Sequence, residues 1–227
     1  MDVARFIVSP ISEIFRILLE FYHSITSSYG ISIIILSLTV SLLLTPISIM
    51  VRRSDEREQL RLAEMTPLID AIKREYRGQE RFERIDAVYT QFGYHPIKSM
   101  TSILPLLLQI PFLLGALFLL VDYPPIQGVP FLIIGNLGAP DHLIPLPLEA
   151  VGGLNFLPLA LTAVSLLETV TKPRVTTQVQ LRLAIVAIVI LVLIYPLPAA
   201  VCLYWLCSTL WSLSRALWAR RHQQTLE

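Results

Sequence analysis

The stretch LAIVAIVILVLIYPLPAAVCLYWLCSTLWSL, residues 183–213, runs for 31 residues without a charge and carries Pro196 and Pro198 near its middle. As one helix it would be about 46 Å long at 1.5 Å per residue, well beyond the roughly 30 Å hydrocarbon of a bilayer. The two prolines cannot sustain the helical ladder. The run therefore reads as two membrane spans, 183–195 and 199–217, joined by a turn at 196–198.

Working outward, three more uncharged runs appear: Ile31–Val51, Met100–Val121 and Leu154–Val170. The 227 residues are 54% apolar and only 15% charged, with a mean hydropathy of +0.64, against roughly 25% charged in soluble chains. The fold class is an all-α polytopic membrane protein. A net charge of +1 gives no general attraction for polyanions, so nucleic acid is not an expected partner. Cys202 and Cys207 lie in the same apolar run and form neither a disulfide framework nor a zinc motif. No internal repeat or low-complexity tract is present.

Charge orients the spans, because basic residues are retained on the cytoplasmic side. Residues 52–98 hold ten Lys and Arg, from Arg52 to Lys98, whereas residues 122–153 hold none. Segment 52–98 and the loop 172–182 are expected inside, 122–153 outside. The tail 218–227 can also lie inside only if two spans separate it from 172–182. Five spans follow, at 30–51, 99–121, 154–171, 183–195 and 199–217, with the N-terminus outside and the C-terminus in the cytoplasm of a bacterial inner membrane.

Residues 1–29 lack a usable signal peptide, since the apolar stretch after Arg5 breaks at Ser9-Pro10 with no cleavage site. Ile11, Ile14, Phe15, Leu18, Phe21 and Tyr22 recur at helical spacing opposite Glu13, Arg16 and Glu20. The segment is expected to be an amphipathic helix in the outer interface, packed across the ends of the spans, or both. In the cytoplasmic segment Met65, Leu68, Ile69, Ile72 and Tyr76 form one periodic set, and Phe82, Ile85, Val88 and Phe92 another, with Arg77-Gly78 between. An antiparallel helical hairpin fits. It is either a docking platform, with Arg74, Arg77, Arg81 and Arg84 as its contacts, or a solvated connector.

Polar side chains inside a membrane are costly and face protein or water. Ser37, Ser41 and Thr45 make one stripe on the first span; Gln109 stands in the entering half of the second; Thr162, Ser165 and Glu168 occupy the third; Tyr204, Ser208 and Ser212 make a stripe on the fifth. All lie from mid-membrane toward the cytoplasm, while the outer half is nearly all aliphatic. A water-accessible groove open to the cytoplasm is expected. For any one hydroxyl, a bond to its own i−4 carbonyl is an equally ordinary use. A channel would need polar residues in both halves, and an ion-coupled transporter would carry ionisable groups near the midplane. Glu168 alone qualifies, and its spacing from Lys172 fits an interfacial carboxylate. No HExxH, GxSxG or P-loop is present. His23, His95, His142 and His222 are dispersed. No catalytic residue, metal site or cofactor is expected.

Gly30-Ile-Ser-Ile-Ile-Ile leading to Leu44-Thr-Pro46, then Thr66-Pro67, His95-Pro96 and Pro105-Leu-Leu-Leu-Gln-Ile-Pro-Phe112, together resemble the core of the YidC, Oxa and Alb membrane protein insertases. Leu137-Gly-Ala-Pro-Asp141 and Leu197-Pro-Ala-Ala-Val-Cys-Leu-Tyr-Trp205 are similar to that family's outer loop and last turn. The resemblance covers about Pro10 to Ala219. It implies a five-span insertase or foldase that receives the polar part of a nascent membrane protein in the groove and releases its apolar part into lipid. The implied partners are nascent membrane proteins and the bilayer, with a Sec translocon as a further candidate and ribosome contact transient at most. Two departures stand out. The position five residues before Pro46, an arginine in bacterial relatives, is Ser41 here, and the C-terminus is a short stub where ribosome-binding relatives carry a basic tail. The alternative they leave open is a dedicated assembly chaperone or stable subunit of one membrane complex.

Overall fold

The structure, a computed structural model, describes residues 3–94, 104–143, 153–170 and 177–224. Among the described residues the helices are α1 (Val3–Thr26), α2 (Tyr29–Glu75), α3 (Gly78–Gln91), α4 (Leu104–Val121), α5 (Phe156–Val170), α6 (Thr177–Ile194) and α7 (Ala199–Gln224), with a 3-10 turn at Pro124–Ile126. Among the described residues there is no strand beyond one isolated bridge, Phe131 to Ile134. The expected all-helical class is borne out. Of the described helices, only the Tyr29–Met50 part of α2 is long and apolar enough by itself to cross a membrane; Gln109–Val121, Phe156–Glu168 and Ile185–Ile194 are shorter apolar stretches. The run 183–213 breaks at Tyr195–Pro198, between α6 and α7. Residues of the expected first span and of the hairpin's first arm share the single helix α2, which continues through Pro46 and Pro67.

The chain divides into two compact units, Met1–Leu43 with Pro111–Glu227, and Leu44–Ile110. In the first, α1 divides its surface three ways. Val8, Phe15 and Leu19 are buried, Ile14, Ile17, Phe21 and Ile25 are exposed, and Glu13, Arg16 and Glu20 form an exposed ion-paired row. At 100° per residue these stripes lie about a third of a turn apart. The one apolar face expected from the sequence is thus two, one packed and one open. Contact with α4 is close because Gly115 has no side chain: a Cβ there would stand 2.6 Å from Ile11 Cγ2. Ser12 Oγ donates to the Gly115 carbonyl at 3.1 Å. Phe15 lies between the rings of Phe112 and Tyr204, at 6.4 and 6.2 Å.

The 122–143 loop ties helix ends together. Asn136 Oδ1 accepts from the backbone of Gly128 and Gly138, both at 2.8 Å, and the Ala139 and Leu137 carbonyls accept the first amides of α7, Ala199 and Ala200, at 2.8 and 2.9 Å. These two amides have no partner within their own helix. Asp141 does the same for α5. The two helices therefore start together and run in parallel.

The second unit is a helical pair, the end of α2 against α3, around Met65, Ile69 and Tyr94 with Leu62, Ile85, Val88, Tyr89 and Phe92 packed on them. Its second arm ends in a Schellman motif. The Tyr94 amide donates to the Tyr89 carbonyl at 2.8 Å and that of Gly93 to Thr90 at 3.1 Å, with Gly93 at φ 57°. The motif brings the Tyr94 and Tyr89 rings to 5.1 Å and so delivers Tyr94 to the core.

Candidate functional site

The helices of the first unit are tightly packed at the end that carries the 122–143 loop and loosen away from it. On the first-unit part of α2 the buried residues are Gly30, Ser32, Ile33, Leu36, Ser37 and Val40; from Ser41 to Leu43 none is buried. On α5 Leu157, Pro158 and Leu161 are buried, and none from Thr162 to Glu168 is. On α7 burial is continuous from Ala199 to Tyr204 and intermittent beyond, at Thr209 and Leu213. The polar residues singled out from the sequence fall on both sides of that change.

Ser37 is fully buried and donates its hydroxyl to the Tyr204 carbonyl at 2.7 Å, a bond that joins α2 to α7. Tyr204 is itself 3% exposed. Both sit in the packed end. Ser41, Thr162, Ser165, Ser208 and Ser212 are half-buried. Thr162 and Ser165 donate to their own helix, to the Pro158 and Leu161 carbonyls at 2.8 and 2.9 Å, the ordinary use of a hydroxyl within a helix. Thr45 is half-buried and Gln109 exposed; both belong to the second unit.

The link the sequence reading missed is Ser212 Oγ donating to Glu168 Oε1 at 2.8 Å, from α7 to α5. Glu168 is the thirteenth residue of α5 and Ser212 the fourteenth of α7, so each lies about 18 to 20 Å from the capped start of its helix. Glu168 is thus part of a helix–helix contact between α5 and α7. The signal was present in matched residue counts, but only the capping contacts set the two counts to a common origin.

In the second unit Arg74, Arg77, Arg81 and Arg84 are all exposed. Arg84 donates to Glu80 at 3.0 Å and stacks 3.9 Å over the Tyr76 ring. Lys73, Arg81, Asp86, Phe82, Ile85 and Tyr89 line a shallow open groove beside Gly78. Among the described residues no group of three or more His, Cys, Asp or Glu is placed to hold a metal. His95 and Lys172 lie outside the described residues.

Fold and site define a helical membrane protein with polar side chains gathered where its helices loosen. The family model of the 60Kd inner membrane protein matches residues 21–225, and the chain belongs to that family of the bacterial inner membrane. It is 32% identical over 140 residues to the membrane protein insertase YidC of Chlamydia trachomatis, covering 61% of this chain and 17% of the relative. The YidC of Clostridium perfringens is 29% identical over 153 residues, 63% of this chain and 61% of that one. For Syntrophobacter fumaroxidans YidC the figures are 24% over 222 residues, 96% and 38%. The chain thus spans between about a sixth and three-fifths of the length of these relatives. A solved structure of an active YidC insertase with its first transmembrane domain resolved matches with a TM-score of 0.58 at 19% identity, over 95% of this chain and 46% of that one; the likeness is one of fold.

Proposed function

We propose that the chain is a membrane protein insertase or foldase, working from a half-membrane groove lined by Ser41, Thr162, Ser165, Ser208 and Ser212. The observation that carries this reading is a coincidence along α2, α5 and α7: burial ends on α2 and α5, and becomes intermittent on α7, where these polar residues begin. A polar segment of a nascent membrane protein entering there would meet hydroxyl oxygens and the Glu168 carboxylate in place of hydrocarbon. Burying an unpaired polar group in a dry apolar medium costs several kcal/mol, and a wet groove removes part of that barrier. The apolar segment then passes into lipid. The reading involves no covalent step and no cofactor.

In this proposal five spans cross the membrane, with residues 122–153 outside and 52–98 and the C-terminus in the cytoplasm. Residues 1–29 lie at the outer surface, where the open stripe of α1, Ile14, Ile17, Phe21 and Ile25, faces lipid. The helical pair of the second unit, with Arg74, Arg77, Arg81 and Arg84 exposed, is the cytoplasmic docking element for substrate. Ser41 in place of the arginine of bacterial relatives favours a second reading, a dedicated assembly factor for one membrane complex.

One experiment separates the two: photo-crosslinking in cells from Ser41, Ser208 and Phe118, an exposed residue near the opposite end of α4. Capture of many newly made membrane proteins from Ser41 and Ser208 but not Phe118 supports the general insertase. A single stoichiometric partner supports the assembly factor, and equal capture from all three positions overturns the groove.

A further inference from the structure

Within the 122–143 loop, Phe131 and Ile134 exchange both backbone hydrogen bonds, each 2.9 Å, and leave Leu132 and Ile133 as a two-residue turn. Leu132 holds φ at 51°, a left-handed conformation costly for a residue with a side chain and commonly given to glycine in such turns. The two tip residues are 86% and 73% exposed, the two most exposed large apolar side chains among the described residues. Their flanks are the reverse, Phe131 at 9% and Ile134 at 4%. A strained turn thus holds two aliphatic side chains outward on a buried base.

The base locates the tip. Phe131 packs directly on Gly30, where a Cβ would fall on its ring, and Gly30 is the second residue of the apolar stretch Tyr29–Met50 that is long enough to cross a bilayer. Leu132 and Ile133 therefore project from the level at which that span begins. Ile25, four residues before Tyr29 and on the open stripe of α1, is 67% exposed beside the same helix start. From Val129 to Gly138 there is no charged residue, and the backbone at the base of the turn is paired with itself, so the tip can leave water without stranding those groups. An interface with a soluble or charged partner would leave these aliphatic chains unmatched; the acyl-chain boundary matches them.

We propose that the Leu132–Ile133 turn is a lipid anchor, inserted into the leaflet on the loop side and setting the depth at which the 122–143 loop holds the starts of α5 and α7. It needs only the membrane placement of the chain, not its insertase activity.

The test is an Ile133→Cys variant in a Cys202→Ala, Cys207→Ala background, labelled with an environment-sensitive nitrobenzoxadiazole dye. It is reconstituted in vesicles of phosphatidylethanolamine and phosphatidylglycerol and compared with the same label at exposed Gln127. The expected result is blue-shifted emission, at least twofold stronger quenching by lipids with a nitroxide near the head of the acyl chain than at Gln127, and at least twofold weaker quenching by iodide. Emission and iodide quenching equal to those at Gln127 would overturn the anchor. So would blue-shifted emission that nitroxide lipids leave unquenched, which would place the tip against protein, such as a second copy of the chain. Because the readout is independent of substrate insertion, failure here leaves the proposed function standing, and loss of that function leaves this result intact.

Discussion

Asp141 caps α5 from 15 residues upstream: its Oδ2 accepts the amides of Phe156 at 2.7 Å and Leu157 at 3.0 Å. Next to this cap, Asn155 donates its side-chain amide to the Tyr195 carbonyl at 2.8 Å, its backbone amide donates to the Tyr195 hydroxyl at 3.2 Å, and its Oδ1 accepts from the His142 amide at 3.1 Å. One polar cluster thus joins the loop, the start of α5 and the end of α6. Asp141 is 8% exposed, so its two bonds are charge-assisted and little screened. Asp141→Ala is expected to lower unfolding stability in detergent by about 2 kcal/mol. Hydrogen exchange should rise first at Phe156 and Leu157, and Asp141→Asn should lose roughly half as much.

Drying the groove should cost activity without costing the fold. Ser41→Leu and Ser208→Leu replace half-buried hydroxyls and are expected to reduce insertion of a reporter several-fold, while Phe118→Leu, at an exposed position, leaves it unchanged. Comparable losses from all three variants would count against the groove.

The docking of α1 depends on a missing side chain. Gly115→Leu places a bulky group where even a Cβ would stand 2.6 Å from Ile11. It should lift α1 off α4, seen as faster proteolysis near Ser12 with α5 to α7 still folded; unchanged cleavage would show that α1 is held elsewhere.

In the helical pair, Gly93→Ala puts a side chain at φ 57° and is expected to destabilise the α2–α3 pairing by about 1 kcal/mol. Tyr94, 6% exposed, should gain exposure, which intrinsic fluorescence or acrylamide quenching would register.

Tyr123 supplies a pH dependence. Burial, then the neighbouring Tyr29 and Glu20, push its phenol up from 10.0 to about 12; its hydroxyl points at Glu20 at 3.5 Å. Since the folded state favours the neutral phenol, its contribution to stability is fully present below pH 10 and is lost as the pH rises from 10 to about 12. Absorbance titration at 295 nm should show Tyr123→Phe removing one phenol from the late-titrating group, and the variant should lose less stability than the parent over that window.

How much of this was legible in the chain differs from element to element. The break at Tyr195–Pro198 was readable because two prolines cannot sit in one ladder, and the apolar period of 65–92 was readable because a helix pair needs one buried stripe on each arm. The two apolar faces of α1 were not, since a hydrophobic period marks which side is apolar and not which neighbour, protein or open surface, each residue meets. Ser37 and Ser41 lie one turn apart on one stripe, yet Ser37 is a buried interhelical donor and Ser41 is half-buried. Spacing treats them alike.

By itself the sequence determined that the protein is helical and apolar enough for a membrane, because uncharged runs of bilayer length have no other stable environment. It also contained the polar stripes as patterns on single helices. Only the tertiary structure decided which stripe members are fully buried in packing and which are half-buried, and that Glu168 and Ser212 stand at matched distances from their helix starts. That match is set by where α5 and α7 begin, and they begin together because Asp141 and the carbonyls of Leu137 and Ala139 cap both from one loop. Contacts between residues far apart in the chain leave no periodic trace along it.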